Sequence, residues 1–472
     1  MEELLEEALV PEEEQPYPVP ENWVWVNCGA IAEIVRGVSY KKDQVEQFKN
    51  ANTSLVIRGG NIQEGKLVNQ DDNVYVKNDI INENQRLQEK DVLLVSSTGS
   101  NKVIGKAASV TPEFVNESFG AFVTLLRPDK KINGDYFGFY FQSSSYKSVI
   151  SNLAKGSNIK NIKKEHLQNL SFPLPPLNEQ KRIAEKVERL FAKIDEAKRL
   201  IEEVKESFEF RRAAILDKAF KGQLGTNDPN EMSMLETTNE IKEKDLIPKE
   251  EQPYEVPENW VWVRSGHVAK WGSGGTPSRK RLEYYGGDIP WIKTGELNDG
   301  IVSASEETIT EEGLQNSSAK IFPKGSIAIA MYGATIGKLG ILGIDAATNQ
   351  ACAVGQPYDF LNSKYMFYYF LARRSDLIVL GKGGAQPNIS QTIIKDFPFA
   401  LPPLNEQKRI ADKVDNLLSK LDNEKEKVLE VEEKLNLLKQ SILNKAFRGE
   451  LGTNDPNDEH AIELLKEVLK SK

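Results

Sequence analysis

The chain has 472 residues, 39% of them hydrophobic and 28% charged, with a formal net charge of −9 at pH 7. That length exceeds one ordinary core and predicts two or more domains. No run of about eighteen apolar residues occurs, which excludes a membrane-spanning helix. The acidic start, MEELLEEALVPEEEQ, lacks the basic-then-apolar order of a secretory signal. Cys28 and Cys352 are the only cysteines, so no disulfide framework is expected and a reducing cytoplasm is the expected setting. The charge is uneven. Residues 27–171 carry a net +4 and residues 264–383 a net +2, with the acidity gathered elsewhere. Such mild basicity does not argue for nucleic acid by itself.

In chain order, a Pro-rich lead-in comes first: EQPYPVPENWVWV at Glu14–Val26, repeated with one change at Glu251–Val263. A divergent segment follows in each half. The first holds the β-like runs SLVIRGGNI, DNVYVKN, DVLLVSSTG and FGAFVTLLRP; the second holds DIPWIKTGEL, SIAIAMYG, KLGILGI and QACAVGQP. Helical stretches follow, YFGFYFQSSSYKSVI and KYMFYYFLARRSDLIVL, giving α+β texture. Next comes the exit motif LPPLNEQKRIA, at Leu174–Ala184 and again at Leu401–Ala411. A long helical pattern and a GTNDPN turn close each half. The lead-in tryptophans Trp23 and Trp260 are 237 residues apart, whereas the exit motifs are 227 apart, so the first divergent segment is the longer by ten. The tail after the second GTNDPN, joined to the chain start, makes the same acidic, Leu-bearing connector as the middle. The sequence reads as a circle cut once, which predicts neighbouring termini.

The pattern after each exit motif is strong. Apolar residues fall at Ile183, Val187, Leu190, Ile194, Ala197, Ile201, Val204, Phe208 and Ile215, broken by Arg211. In the second half they fall at Ile410, Val414, Leu417, Leu421, Val428, Val431, Leu435, Leu438 and Ile442, broken by Glu424. Alternating three-four spacing sustained this long signals a coiled coil. Pro175 and Pro176 end the preceding strand, Asn178 is the expected N-cap, and Gly222 and Gly449 are the expected terminating glycines. A helical hairpin within one domain would cover such a seam. Pairing of the two helices, antiparallel about a pseudo-twofold axis, suits its length better, at roughly 65 Å for some 43 residues.

Chemistry is sparse. TGSNKVIGK (Thr98–Lys106) and YGATIGKLG (Tyr332–Gly340) miss the glycine spacing of a phosphate-binding P-loop, and no Ser or Thr follows the Lys. Their matched placement predicts a strand–turn–strand presenting one Lys in each half. WGSGGTPSRKR (Trp271–Arg281) is a solvated loop on the bland reading, and a phosphate and base-edge contact loop on the functional one. GGAQPNIS (Gly383–Ser390) is equally a turn or an adenine-edge reader. His166, His267 and His460 show no metal spacing, and no HExxH, nucleophile elbow or dinucleotide-binding glycine motif occurs. The Asn/Asp-Pro-Pro-aromatic element of an amino-methyltransferase is absent as well. Trp23, Trp25, Trp260 and Trp262 read as core.

The duplicated PENWVWV, the duplicated LPPLNEQKRIA with its helix, and GGTPSR with YYGGDIPWIKTGEL, YGATIGKLG and TNQACA carry a resemblance. Together they resemble the specificity subunit of a Type I restriction–modification enzyme. The resemblance implies an α+β fold with two globular target-recognition domains separated by two long antiparallel coiled-coil helices. On this sequence it assigns 1–26 to the N-terminal segment and lead-in, 27–174 to the first recognition domain and 175–222 to the first helix. Residues 223–263 form the linker and second lead-in, 264–401 the second domain, 402–449 the second helix and 450–472 a tail helix. The first domain lacks GGTPSR and is similar to a different class of recognition domain, so the halves are expected to read different sequences.

The resemblance further implies a non-catalytic, DNA-reading chain. Each domain would take one half of a bipartite double-stranded site, with helix length ruling the gap. Its partners would be two modification subunits and the restriction subunits, with no membrane involved. Cofactors would be none in this chain, with S-adenosylmethionine, ATP and Mg on the partners. Expected DNA contacts are Arg58, Ser100, Asn101, Lys102 and Lys106 in the first domain. In the second they are Thr276, Ser278, Arg279, Lys280, Arg281, Lys338, Gln386 and Asn388. The competing reading is a coiled-coil scaffold that reads no DNA.

Overall fold

A computed structural model describes residues 1–63, 65–100, 103–153, 160–382 and 387–471. They form two units: Met1–Ile201 with Glu430–Lys472, and Glu202–Leu429. In each, the lead-in strand pairs antiparallel with the exit strand, so the two repeated Pro-rich motifs meet and close the domain. Val24–Asn27 runs against Ser171–Leu174, with Val24 opposite Leu174; Val261–Arg264 runs against Pro398–Leu401, with Val261 opposite Leu401. Proline, lacking an N–H to donate, stops the exit strand where expected. The four lead-in tryptophans are buried, as the sequence predicts.

The divergent segments share a topology that their sequences conceal. In the first unit a four-stranded antiparallel sheet has the order Ala107–Ser109, Val92–Val95, Val123–Pro128, Ala32–Arg36. In the second, the corresponding order is Leu339–Leu342, Ile327–Ala330, Cys352–Pro357, Ala269–Ser273, with Gly300–Val302 added at one edge. Each unit has a second sheet with one parallel pairing, at the sheet's edge in the first unit and at its centre in the second. Ser118–Phe119 lies along Val56–Ile57 in one, and Ala347–Thr348 along Trp291–Ile292 in the other. The predicted helical stretches form Gly134–Tyr140 and Ser144–Leu153, and Ser363–Ala372 and Arg374–Leu380.

The predicted long helices are Leu177–Phe220 and Leu404–Phe447, of 44 residues each. Gly222 and Gly449, at φ +69° and +72°, end them. Gln223 N donates to Lys218 O and Glu450 N to Lys445 O, both at 2.8 Å, the backbone closure that a left-handed residue permits. Asn178 is not the N-cap. The helix starts one residue earlier, and exposed Asn178 sits inside its first turn. The first turn is anchored by Gln180 instead. Its Nε2 donates to Pro175 O at 2.9 Å and its Oε1 accepts from Asn133 N at 2.9 Å. Gln407 does the same with Pro402 O and Asn362 N.

The rest of the repeated motif grips a GTNDPN turn. Buried Glu179 accepts from Trp23 Nε1 at 2.7 Å and Asn454 Nδ2 at 2.8 Å. Arg182 Nε donates to Thr453 O at 2.9 Å and pairs with Asp458. In the second unit Glu406 accepts from Thr226 Oγ1 at 2.8 Å, while Arg409 donates to Thr226 O and pairs with Glu231 at 2.7 Å. The motif of each half therefore holds the turn that ends the other half's helix.

Within each unit the helices run antiparallel. Lys198 Nζ donates to Asn436 Oδ1 at 2.7 Å in the first unit. In the second, the two polar breaks in the seams meet: Arg211 and Glu424 pair at 2.7 Å. The ends of the seam are buried, at Ile183, Val187 and Ile442 in one unit and at Phe208, Ile410, Val414 and Leu421 in the other. The expectation of a seam covered throughout fails between those points, where Val204, Val431 and Leu438 are exposed. Two helices shield only a narrow stripe of each other, and only near the domains does a third surface close over it.

The expected circle holds. Leu9 bridges Val26 as Leu246 bridges Val263. Helix Glu2–Ala8 and helix Ala461–Lys470 share a core through Ala8, Leu465 and Val468, and Ala461 N donates to Asn22 O at 2.9 Å. Among the described residues no helix is long and apolar enough to cross a membrane.

Candidate nucleic-acid interface

Strand register fixes where the second unit's loops emerge. Ser273 lies opposite Ala353, Ala330 opposite Cys352, and Ile329 opposite Leu339. Two strands therefore end and two begin at one edge of the sheet. The basic loop Gly274–Arg281, the turn at 349–351 and the Tyr332–Lys338 hairpin all leave from that edge. Tyr332 bridges Asn388, and Ile389 N donates to Met331 O at 2.8 Å. Thr276, Ser278, Arg279, Lys280, Arg281, Lys338 and Asn388 are thus brought to one rim. Gln386 lies outside the described residues.

The basic loop is braced from below. A Cβ on Gly274 would collide with the carbonyl of Thr348, so only glycine permits that approach. Trp291 Nε1 donates to Gly275 O at 2.9 Å and Tyr285 Oη to Pro277 O at 2.6 Å. Thr276 bonds the side chain of Gln350. Arg279 pairs with Glu307 at 2.6 Å, and its guanidinium lies 4.5 Å from the Tyr285 ring centre and 5.0 Å from that of Trp291. Glu307 raises the Arg279 pKa further, and Arg279 and Lys293 hold the Glu307 carboxyl below its ordinary range. Arg279 is therefore engaged as part of the loop's frame. Arg281 pairs with exposed Glu283 at 3.2 Å. Lys280 has no ion pair among the described residues, and beside the loop Leu282 is 82% exposed.

The first unit builds the same rim. Arg36 lies opposite Thr124, Val95 opposite Val123, and Leu94 opposite Ala107. The expectation of matched hairpins holds bond for bond. Val95 N donates to Lys106 O and Gly105 N to Val95 O, both at 2.9 Å; Ala330 N donates to Lys338 O at 2.9 Å and Gly337 N to Ala330 O at 2.8 Å. Gly105 and Gly337 share a positive φ of +74° and +77°. Exposed Lys106 and exposed Lys338 hold equivalent places. Thr98 pairs with Lys160 much as Tyr332 pairs with Asn388. Ser100 is exposed on the turn, where its N–H meets Thr98 Oγ1 at 3.2 Å. Asn101 and Lys102 lie outside the described residues.

Arg58 comes to the first unit's rim from the second sheet, and Gly59 after it lies against Val95 and Val103 of the hairpin. Arg58 follows the central strand of the second sheet and pairs with Asp72 at 2.8 Å. Its counterpart is Lys293, paired with Glu306 and Glu307. The residues that sequence reasoning missed are Lys41 and Lys42. A Cβ on Gly37 would collide with the carbonyl of Gly120, as at Gly274 with Thr348. Val38 N donates to Phe119 O at 2.8 Å, matching Gly275 N to Thr348 O at 2.9 Å. Gly37–Lys42 is thus the counterpart of the basic loop. Both lysines are exposed, with no ion pair among the described residues. The signal was in the sequence: the lead-in offset of 237, carried forward, maps Gly274 onto Gly37. Phe122, 70% exposed, joins this rim.

Among the described residues no group of three or more His, Cys, Asp or Glu side chains could hold a metal ion.

Comparison with known proteins agrees. The Type I restriction modification DNA specificity domain matches twice, over residues 20–206 and 257–433. The chain is 29% identical over 447 residues to the Type I restriction enzyme StySPI specificity subunit of Salmonella potsdam, covering 92% of this chain and 90% of that one. It is 28% identical, with the same coverage, to the EcoKI specificity subunit of Escherichia coli K12. The fold is similar to a chain in a solved structure concerned with complex assembly and conformational transition of the type I R-M system. That likeness has a TM-score of 0.68 and 21% identity, covering 92% of this chain and all of that one. The HsdS subunit from Thermoanaerobacter tengcongensis gives a TM-score of 0.60 at 21% identity, covering 93% and 100%. Each match of the domain falls on one repeat with its own rim, and the chain belongs to the Type I restriction–modification DNA specificity family.

Proposed function

We propose that this chain is the DNA-reading subunit of a Type I restriction–modification complex, with each unit taking one half of a bipartite, asymmetric double-stranded site. One observation supports the reading most: equivalent sheet edges carry equivalent hairpins and basic loops, yet the loop residues differ. On this reading Lys106, Lys338, Lys280 and Arg281, with Lys41 and Lys42 added, face phosphates and base edges. Ser100, Ser278, Asn388 and the segments holding Asn101, Lys102 and Gln386 line the same rims. Arg279, Thr276 and Arg58 act through position, holding loops that meet DNA. The domains divide along the sequence boundaries given above.

The helical pair sets the unspecified gap and docks two modification subunits, for which the apolar side chains exposed along the seam are suited. Restriction subunits join that assembly. S-adenosylmethionine, ATP and Mg belong to those partners, and methyl transfer is theirs.

The test uses the chain assembled with its modification subunits, in gel-shift titrations at fixed salt. Charge reversal at Lys41 and Lys42 is expected to weaken binding about tenfold or more and to flatten the salt dependence. Lys280→Glu with Arg281→Glu is expected to act alike through the other half-site. A coiled-coil scaffold that reads no DNA predicts unchanged titrations for both.

A further inference from the structure

The repeat allows one unit to be read against the other, and they differ beside the GTNDPN turns. Arg182 grips Asp458 in the first unit and Arg409 grips Glu231 in the second, so the chains start from equivalent points. Two residues on, each begins a helix. His460 caps Ala461–Lys470, accepting from Ile462 N at 3.2 Å. Ser233 precedes Met234–Thr237, with Glu236 reaching back to Ser233 N at 2.9 Å. The first helix runs on through Leu464, Leu465 and Val468. The second meets Thr237, Thr238 and Asn239 and stops after one turn, because β-branched and Asn side chains compete poorly in a helix.

The consequence is a covered face in one unit and an open one in the other. In the first unit Leu465 and Val468 are fully buried, and Lys131 Nζ donates to Glu467 O at 2.7 Å near the helix end. Asp129 N donates to Ile31 O at 2.8 Å, and Tyr358 N to Val268 O at 3.1 Å, which makes Tyr358 the counterpart of Asp129 and Phe360 that of Lys131. So where the first unit holds its own helix with polar groups, the second presents aromatic rings. They line a groove of about 840 Å³ with Met232, Met234 and Leu404. Met234 and Phe360 form its buried floor, while Met232 and Tyr358 stand 58% and 40% exposed on its lip. Glu240 and Asp359 also line it, both exposed and without an ion pair among the described residues. Among the described residues no Lys or Arg lines it.

We propose that this groove docks an amphipathic helix from a partner protein, one whose apolar ridge is flanked by Lys and Arg. The internal counterpart argues for a helix, because a helix of this chain covers the equivalent face in the first unit. The two methionines, two aromatic rings and Leu404 in the lining suit apolar anchors at i, i+3 and i+4. The unpaired carboxylates at its edge select a basic flank and would repel an acidic one.

The probe is a fluorescein-labelled peptide with the sequence of Ala461–Lys470 in which both glutamates are replaced by lysine. Its acidic twin has both lysines replaced by glutamate. Anisotropy titration against the full chain is expected to show saturable binding of the basic peptide, at least tenfold tighter than the acidic one. Met232→Ser with Tyr358→Ser, both exposed positions, should weaken it at least tenfold with an unchanged melting temperature. Glu240→Lys with Asp359→Lys should invert the preference between the peptides. Equal binding of both peptides, binding of neither, or a preference that survives the charge reversal would overturn the proposal. DNA binding by the same variants, assembled with the modification subunits, stays at wild-type strength whichever way the peptides behave.

Discussion

Trp23 and Trp260 occupy the same place in the repeat and are both buried, but their indole N–H groups fare differently. Trp23 donates to the buried carboxylate of Glu179, whose pKa burial pushes up while Trp23, Asn454 and Thr453 pull it back. Trp260 Nε1 has no partner among the described residues, and Glu406 is satisfied by Thr226 and Arg409. Trp23→Phe is therefore expected to cost about 1.5–3 kcal/mol, the worth of a hydrogen bond to a charged group, and Trp260→Phe less. Thermal melts of the two variants decide it; equal losses would contradict the assignment. The Arg409–Glu231 pair makes a pH prediction. Arg409 holds the Glu231 carboxyl below its ordinary value of 4.5, so the pair's contribution is complete above that value and is lost as pH falls through the lowered one. The destabilisation of Glu231→Gln should be present at pH 7 and fade as the pH falls through the lowered value. A gap between the melting curves that widens in acid would contradict this. At this scale the sequence was legible where pattern decides, as at the four core tryptophans. It did not give the ion pairs of Arg58 and Arg279, because a guanidinium's partner, Asp72 or Glu307, lies far along the chain and leaves no mark on the local motif.

Among elements, strands, hairpins and both long helices could be read from period and punctuation. The near-P-loops resolve into hairpins because Gly105 and Gly337 supply the left-handed residue each turn requires. What stayed hidden was the equivalence of the two recognition folds. It is carried by backbone pairing and by two glycines in close approach, while the side chains around them have diverged. Gly37→Ala forces its new methyl against the Gly120 carbonyl and is expected to cost about 1–3 kcal/mol. It should displace Lys41 and Lys42 and weaken recognition at the first half-site while the second is read normally. Footprinting of each half-site checks this, and equal loss at both would contradict it. The helical seam was legible in position but not in cover. Spacing tells which residues face a neighbour, while the number of neighbours at Val204 or Leu438 is set by where the domains end.

For the molecule as a whole, the sequence circle translates directly into structure. Each LPPLNEQKRIA joins a variable reader to a helix and clasps the turn from the other half, so the repeated residues fix geometry and leave specificity to what does not repeat. Each half-site thus belongs to one unit. The most direct measurement is a genome-wide map of methylated adenine in cells carrying the modification subunits with this chain. The same map is then made after residues 264–398 are exchanged for the corresponding segment of another family member. The expected result is a bipartite methylated sequence in which the exchange rewrites one half and leaves the other half and the gap untouched. Methylation that changes in both halves, or in neither, would contradict it.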